Sequence, residues 1–348
     1  MQRTPTARVA GSFSHGVPRA ANWKAVVARF QVSSAAKASC QLLNSIVPYV
    51  LLWYLMYKSL ALSHWITLSL AVLASGFLVR IFIIFHDCGH GSFFKSRTAN
   101  NVTGFVTGLL TLTPFHHWRW QHALHHGSSG DLDNRGAGDI WTLTVQEYLE
   151  ASRWKRFAYR MARNPVLLFA IAPLYMFVID QRFPARSAPQ RERRSVHAMN
   201  LAILAVAATV SAFIGIRTYA LFQMGVSMFA GAAGVWLFYV HHQFEGAYWA
   251  RGKAWNYTDA ALRGSSYYKL PKVLQWFSGN IGFHHIHHLS PRIPNYNLQR
   301  CHDANPAFGQ IRPITLWSSV TSLAFRLWDE ERGVLVGFRE LNIPRSDG

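Results

Sequence analysis

Three groups of histidines dominate the chemistry available to this chain: His86-Asp87-Cys88-Gly89-His90, His122-Ala123-Leu124-His125-His126 and His284-His285-Ile286-His287-His288. In a helix, residues i, i+3 and i+4 share one face. The spacing therefore aims His86 with His90, His122 with His125 and His126, and His284 with His287 and His288, each set at one point. Eight imidazoles are too many for one ion, so two metals are expected, with four nitrogens each and room for further ligands. Imidazole suits iron, zinc and copper. Structural zinc usually takes four ligands and often thiolates, whereas Cys40, Cys88 and Cys301 form no paired motif. Eight neutral ligands leave two ions with high charge and open positions, as oxygen activation requires. A di-iron site using O2 is the expected chemistry. One H-x3-H pair would be a weak signal, but three boxes together are a strong one.

The elements that must carry these boxes are apolar. From Leu42 to Phe85 the only charged residues are Lys58 and Arg80, and from Val196 to Val240 the only one is Arg217. A bilayer core of about 30 Å needs about 20 such residues in a helix. The expected fold is all-α and polytopic. Four transmembrane helices form two hairpins, with in-plane or re-entrant helices beside them and a cytosolic helical cap holding the di-metal site. Residues 1–348 are read as one domain: a basic cytosolic segment at 1–38, a hairpin at 42–85, and a cytosolic and interfacial region with two boxes at 86–195. A second hairpin at 196–240 and the cap at 241–348 complete it. Val102–Pro114 is too short to cross. Pro165–Ile179 is short and interrupted by Pro173, and it is placed in the interface. All three boxes then lie on one side of the membrane, as a shared site demands.

The net charge of +19 raises the question of nucleic acid. The basic residues answer it by their placement: Arg153, Lys155, Arg156, Arg160 and Arg163 share one loop, and Arg182, Arg186, Arg191, Arg193 and Arg194 precede the third span. The outer turns carry only Lys58 and Arg217. This is the positive-inside bias, and no base-reading module is present. Three cysteines make no disulfide framework. Residues 1–35 are rich in Arg, Ser and Ala, as a transit peptide would be. A basic tail flanking an inward-facing first span is the preferred reading.

At the boxes, the chain resembles the membrane fatty acid desaturases, closest to the bacterial and cyanobacterial acyl-lipid group of delta-12 and omega-6 type. The matching stretches are Phe85-His86-Asp87-Cys88-Gly89-His90-Gly91-Ser92-Phe93-Phe94, His122 to His126, and Gly279-Asn280-Ile281-Gly282-Phe283 through His288 to Tyr296. Similarity runs from about Trp53 past the last box. The resemblance implies a di-iron centre on the cytosolic side, held by His86, His90, His122, His125, His126, His284, His287 and His288. Phe238-Tyr239-Val240-His241-His242-Gln243-Phe244-Glu245 also resembles a family element and implies His242 as a ninth ligand. His241 stands where glutamine is usual and is set aside.

His285 falls on the opposite side of its turn, and His116 and His117 lie in an aromatic run suited to the membrane interface. All three are read as bystanders. Asp87 and Asn280 are candidates to orient imidazoles by hydrogen bonds, with a simple helix-end bond as the plainer role for Asp87. Arg80 is expected to snorkel to head groups, with a substrate phosphate as a second possible contact.

The resulting expectation is an O2-dependent acyl-lipid desaturase of the bacterial cytoplasmic membrane, with its metal site facing the cytosol. It would insert a cis double bond into a lipid acyl chain. No haem-binding His-Pro-Gly-Gly, dinucleotide fingerprint or Fe–S cysteine spacing is present. Electrons would therefore come from a separate acidic carrier, such as a ferredoxin or flavodoxin, suited to the basic face. A hydroxylase or ketolase acting on lipids or carotenoids is the alternative on the same scaffold. A metal transporter is disfavoured, since the spans contain no acidic residue.

Overall fold

Four helices carry the apolar runs: Ala35–Ser59, His64–His90, Gln190–Ile214 and Ile216–His242, each long and apolar enough to cross a membrane. They pair as two hairpins. The computed structural model describes residues 23–136 and 138–342. Most of the expected N-terminal tail, residues 1–22, lies outside the described residues, as do 343–348. Within that segment Trp23–Ala28 is a helix, and Val27 packs against Phe283, Ile286 and Leu289 of the third box.

Local chemistry sets the helix ends. Ser34 Oγ accepts from the Lys37 amide and Ser63 Oγ from the Trp65 amide, capping the first two spans. The second span continues beyond its apolar run and ends at Gly91, whose φ of +69° is left-handed and suits a residue without Cβ. Its amide returns to the Asp87 and Cys88 carbonyls, so His86 and His90 ride on the last turns of a rigid helix. Along Gln190–Ile214 only Val196 and Met199 are buried, while Leu201, Leu204 and Phe213 are exposed. So continuous an apolar face is suited to lipid rather than water.

The Leu167–Arg182 segment makes wide π turns on both sides of Ala172–Leu174, which contains Pro173, and lies at 62° to helix Arg153–Ala162. Both of its ends pack against elements that lead into the histidine boxes. Before it, Arg163 donates to Gln243 Oε1 at 2.8 Å, next to the histidine end of the fourth span. After it, Arg182 donates to the Leu112 carbonyl and the Ala185 amide donates to His117 Nε2 at 3.0 Å. These contacts are compatible with the interfacial placement expected for Pro165–Ile179. Pro173 packs on Gly231, roughly 16 Å along the helix from His242.

One expectation is corrected. Arg80 does not snorkel. It is buried, with its guanidinium 3.9 Å from the Trp276 ring centroid and a hydrogen bond to the Trp276 carbonyl. Helix Lys272–Phe277 covers that face, and the ring and carbonyl take the place of head groups. The fold is mostly helical, but the cap also contains two small sheets. Leu143–Thr144 runs parallel to Leu327–Asp329, which pairs antiparallel with Val334–Val336, and Tyr268–Lys269 runs parallel to Ile314–Thr315.

A Cβ at Gly231 would lie 2.6 Å from Pro173 Cβ, whereas one at Gly234 meets nothing within 4 Å. Gly231→Ala should therefore lower stability by about 1–3 kcal/mol through overpacking. Gly234→Ala should leave it unchanged or slightly raised. Thermal unfolding of the two variants in detergent checks this, and equal melting temperatures would contradict the packing.

Candidate metal centre

Four elements meet at the site. Helix His64–His90 brings His86 and His90, Phe115–Ser128 brings His122, His125 and His126, Ile216–His242 ends in His242, and the short helix His284–Leu289 brings His284, His287 and His288. One ring nitrogen from each of His86, His90, His122, His126 and His287 lies within 4.8 Å of the others. Those of His125, His242 and His288 form a second such set. His284 stands beside the second set, its Nε2 3.1 Å from His242 Nε2. All nine histidines singled out by sequence are thus brought together, in two groups.

The donor set fits two metal ions. The Nε2 atoms of His90, His125 and His288 are buried without a hydrogen-bond partner among the described residues. Such atoms carry a desolvation cost that a bound cation removes. The Nε2 atoms of His126 and His122, of His287 and His126, and of His284 and His242 approach to 3.1 Å. Two imidazoles bound at right angles to one ion, each at about 2.1 Å, stand about 3 Å apart.

Three rings are oriented by their other nitrogen. His86 Nδ1 lies 3.2 Å from Asp87 Oδ1, His125 Nδ1 lies 2.6 Å from Asp139 Oδ1, and His242 Nδ1 lies 3.3 Å from the Gly264 carbonyl. A carboxylate or carbonyl accepts, so each Nδ1 carries the proton and each Nε2 lone pair is left for a metal. Asp87 is itself held, because its Oδ2 accepts from the Asn295 amide at 2.6 Å and from Asn295 Nδ2 at 2.8 Å. Gln41 Nε2 donates to Asn295 Oδ1 at 3.0 Å, tying the first span to this chain of bonds.

Asn280 hydrogen-bonds no imidazole. Its φ is +60°, a conformation asparagine tolerates, and its side chain bonds Gln275 and the Asn295 carbonyl. It therefore reaches His86 only through Asn295 and Asp87. Asp139 and Asn295 were not recognised from sequence. Asp139 carries no motif, whereas Asn295 stood inside the quoted third stretch.

None of the four set-aside histidines belongs to either set, although His241 touches a member of the group. His285 Nε2 faces His302 Nδ1 at 3.3 Å, and His241 stacks on His284 with centroids 4.0 Å apart. His117 accepts from the Ala185 amide, and the His116 amide donates to Ser195. Burial first, and neighbouring imidazoles second, hold His122, His126, His284, His287 and His288 well below the ordinary histidine pKa. Burial and then His302 push His285 down to about 3. Neutral rings are the form that metal binding needs.

Residues 25–318 match the family model described as fatty acid desaturase. The chain is 48% identical over 321 residues to a fatty acid desaturase of Bacillus subtilis (strain 168), covering 92% of this chain and 91% of that protein. It is 27% identical over 278 residues to an sn-1 oleoyl-lipid 12-desaturase of Picosynechococcus sp., covering 79% and 74%. It is also 28% identical over 251 residues to an sn-1 acyl-lipid omega-3 desaturase (ferredoxin) of Synechocystis sp., covering 66% and 65%.

Asp139→Asn should weaken metal retention about 10- to 100-fold, as loss of a carboxylate behind a ligand imidazole does. Metal per protein by mass spectrometry checks it, and wild-type content would remove Asp139 from the site. The metal-free protein should have a flat stability profile above about pH 7.5. Below about pH 6.5 the unfolded chain takes up protons that the buried rings refuse, so stability should fall as pH falls. Unfolding midpoints measured across pH 5–8 check the sign.

Proposed function

The chain belongs to the fatty acid desaturase family, and on that premise we propose that it inserts a cis double bond into an acyl chain of a membrane glycerolipid, using O2 and two external electrons. The observation that carries this reading is the pair of converging imidazole sets, with their unpartnered buried nitrogens, at one end of four apolar helices. Two iron ions, bound by the nine imidazoles, would supply the oxidising power that an unactivated methylene requires. The balance is two hydrogens from adjacent methylenes, O2, two electrons and two protons, giving the alkene and two waters.

The protein's own residues would do the positioning. Asp87, Asp139 and the Gly264 carbonyl keep protons on Nδ1 of His86, His125 and His242, leaving Nε2 free. Trp118 lies 5.7 Å from His86, and Phe238 lies 5.2 Å from His125 and 5.1 Å from His242, centroid to centroid. These rings give the site an apolar side that accepts methylenes and excludes water. No methylene of a saturated chain is chemically distinguished, so position alone selects the bond. The basic loops support a cytosolic orientation in a bacterial cytoplasmic membrane. The Synechocystis relative, whose name specifies ferredoxin, supports a ferredoxin or flavodoxin as donor.

Expression in a bacterium lacking polyunsaturated lipids, followed by mass spectrometry of its fatty acids, tests the reading. The expected product is lighter than its precursor by about 2 mass units, and a gain of about 16 would replace desaturation by hydroxylation. His125→Ala should give no product, and retained activity would remove His125 from the ligand set.

A further inference from the structure

Of the nine imidazoles, His90 and His122 are the two that are only partly buried. Both belong to the five-histidine set, and both line one open cleft of about 350 Å³, together with Arg119, Trp120 and Glu192. His90 keeps Nε2 buried while part of its side chain meets the cleft. His122 stacks on Trp118 with centroids 4.3 Å apart. Charged side chains, Arg119 and Glu192, share the walls with Trp120 and Ala123. Arg119 is near enough to Arg191 for that cation, after burial, to lower its pKa. Arg191, Arg193 and Arg194 are exposed on the first turns of Gln190–Ile214. Glu192 is the single carboxylate lining the cleft among the described residues.

We propose that this cleft is the docking surface of a small acidic one-electron carrier, which reduces the metal set held by His86, His90, His122, His126 and His287. The inference rests on the proposed reaction, which consumes two external electrons. Each encounter oxidises one carrier by one electron, and two encounters complete the balance given above. Electron tunnelling falls steeply with distance, so the exposed ligand edges mark the shortest approach from solvent. Arg119 in the cleft wall and Arg191 beside it attract and orient an acidic partner over them.

The test measures binding of oxidised [2Fe–2S] ferredoxin and of flavodoxin to the purified protein in phosphatidylcholine nanodiscs, at low and high salt. Arg191→Glu should weaken binding of at least one carrier about tenfold at low salt, with the difference shrinking at high salt. Arg191→Lys should bind as wild type does, and so should Arg217→Glu, a charge reversal at the opposite end of the fourth span. Turnover is then compared with reduced carrier and with reduced methyl viologen, which needs no docking. Arg191→Glu should slow the first several-fold and not the second. Binding unaffected by Arg191→Glu, or no binding of either carrier to wild type, overturns the proposal. So does an effect seen only on binding of phosphatidylglycerol vesicles, which assigns the rim to lipid head groups. Absence of product from wild type with viologen sinks the proposed reaction instead, while the binding measurements still decide the docking surface.

Discussion

Everything in this fold depends on holding nine imidazoles close together, seven of them buried and two at the edge of a cleft. Each ring loses hydration, and any proton gained is repelled by its neighbours, which is why the histidines outside the spans are held far below their ordinary pKa. Flexible loops would let such rings drift apart to regain water. Here the rings are fixed to helix ends: two at the close of the second span, one at the close of the fourth, and the rest on two short helices wedged between them.

The helices set the approach, and hydrogen bonds set the ring angles. Gln41, Asn295, Asp87 and His86 form one continuous chain from the first span to a ligand nitrogen. Asp139 does the same for His125 from the stretch that follows helix Phe115–Ser128, within a segment clamped on both sides. Arg251 pairs with Asp133 at 2.7 Å and with Glu330 at 2.7 Å, and Arg135 pairs with Glu147. Single exposed pairs contribute little, but a network joining three parts of the chain holds the loop that carries Asp139. The fully buried Arg163 is a counterpart without a carboxylate. Its Nη2 donates to Gln243 Oε1 and the Phe325 carbonyl, and its guanidinium faces Tyr239 at 5.2 Å. It pins the start of the Leu167–Arg182 segment beside His242.

The sequence by itself determined the spans, their pairing and the histidine boxes. Apolar length and helical spacing are local properties, and they survive folding unchanged. The Pro165–Ile179 segment reads from sequence as interfacial, because a crossing would have put the arginines at 182–194 on the outer side. The fate of Arg80 was not legible. Its environment comes from Trp276, nearly two hundred residues away, and a charged residue near a span end reads as snorkelling until its neighbour is known. The same holds for the sheets, whose two- and three-residue strands have no periodicity of their own.

At the site, local spacing identified which histidines share a face, but not which faces share a metal. Tertiary structure split the second box, sending His122 and His126 to one set and His125 to the other. It also assigned Asp139 and Asn295 as orienting partners, and it buried seven rings while leaving His90 and His122 at the cleft. The reason is physical: helical spacing fixes direction within one element, while partnership and exposure depend on what other elements place opposite it.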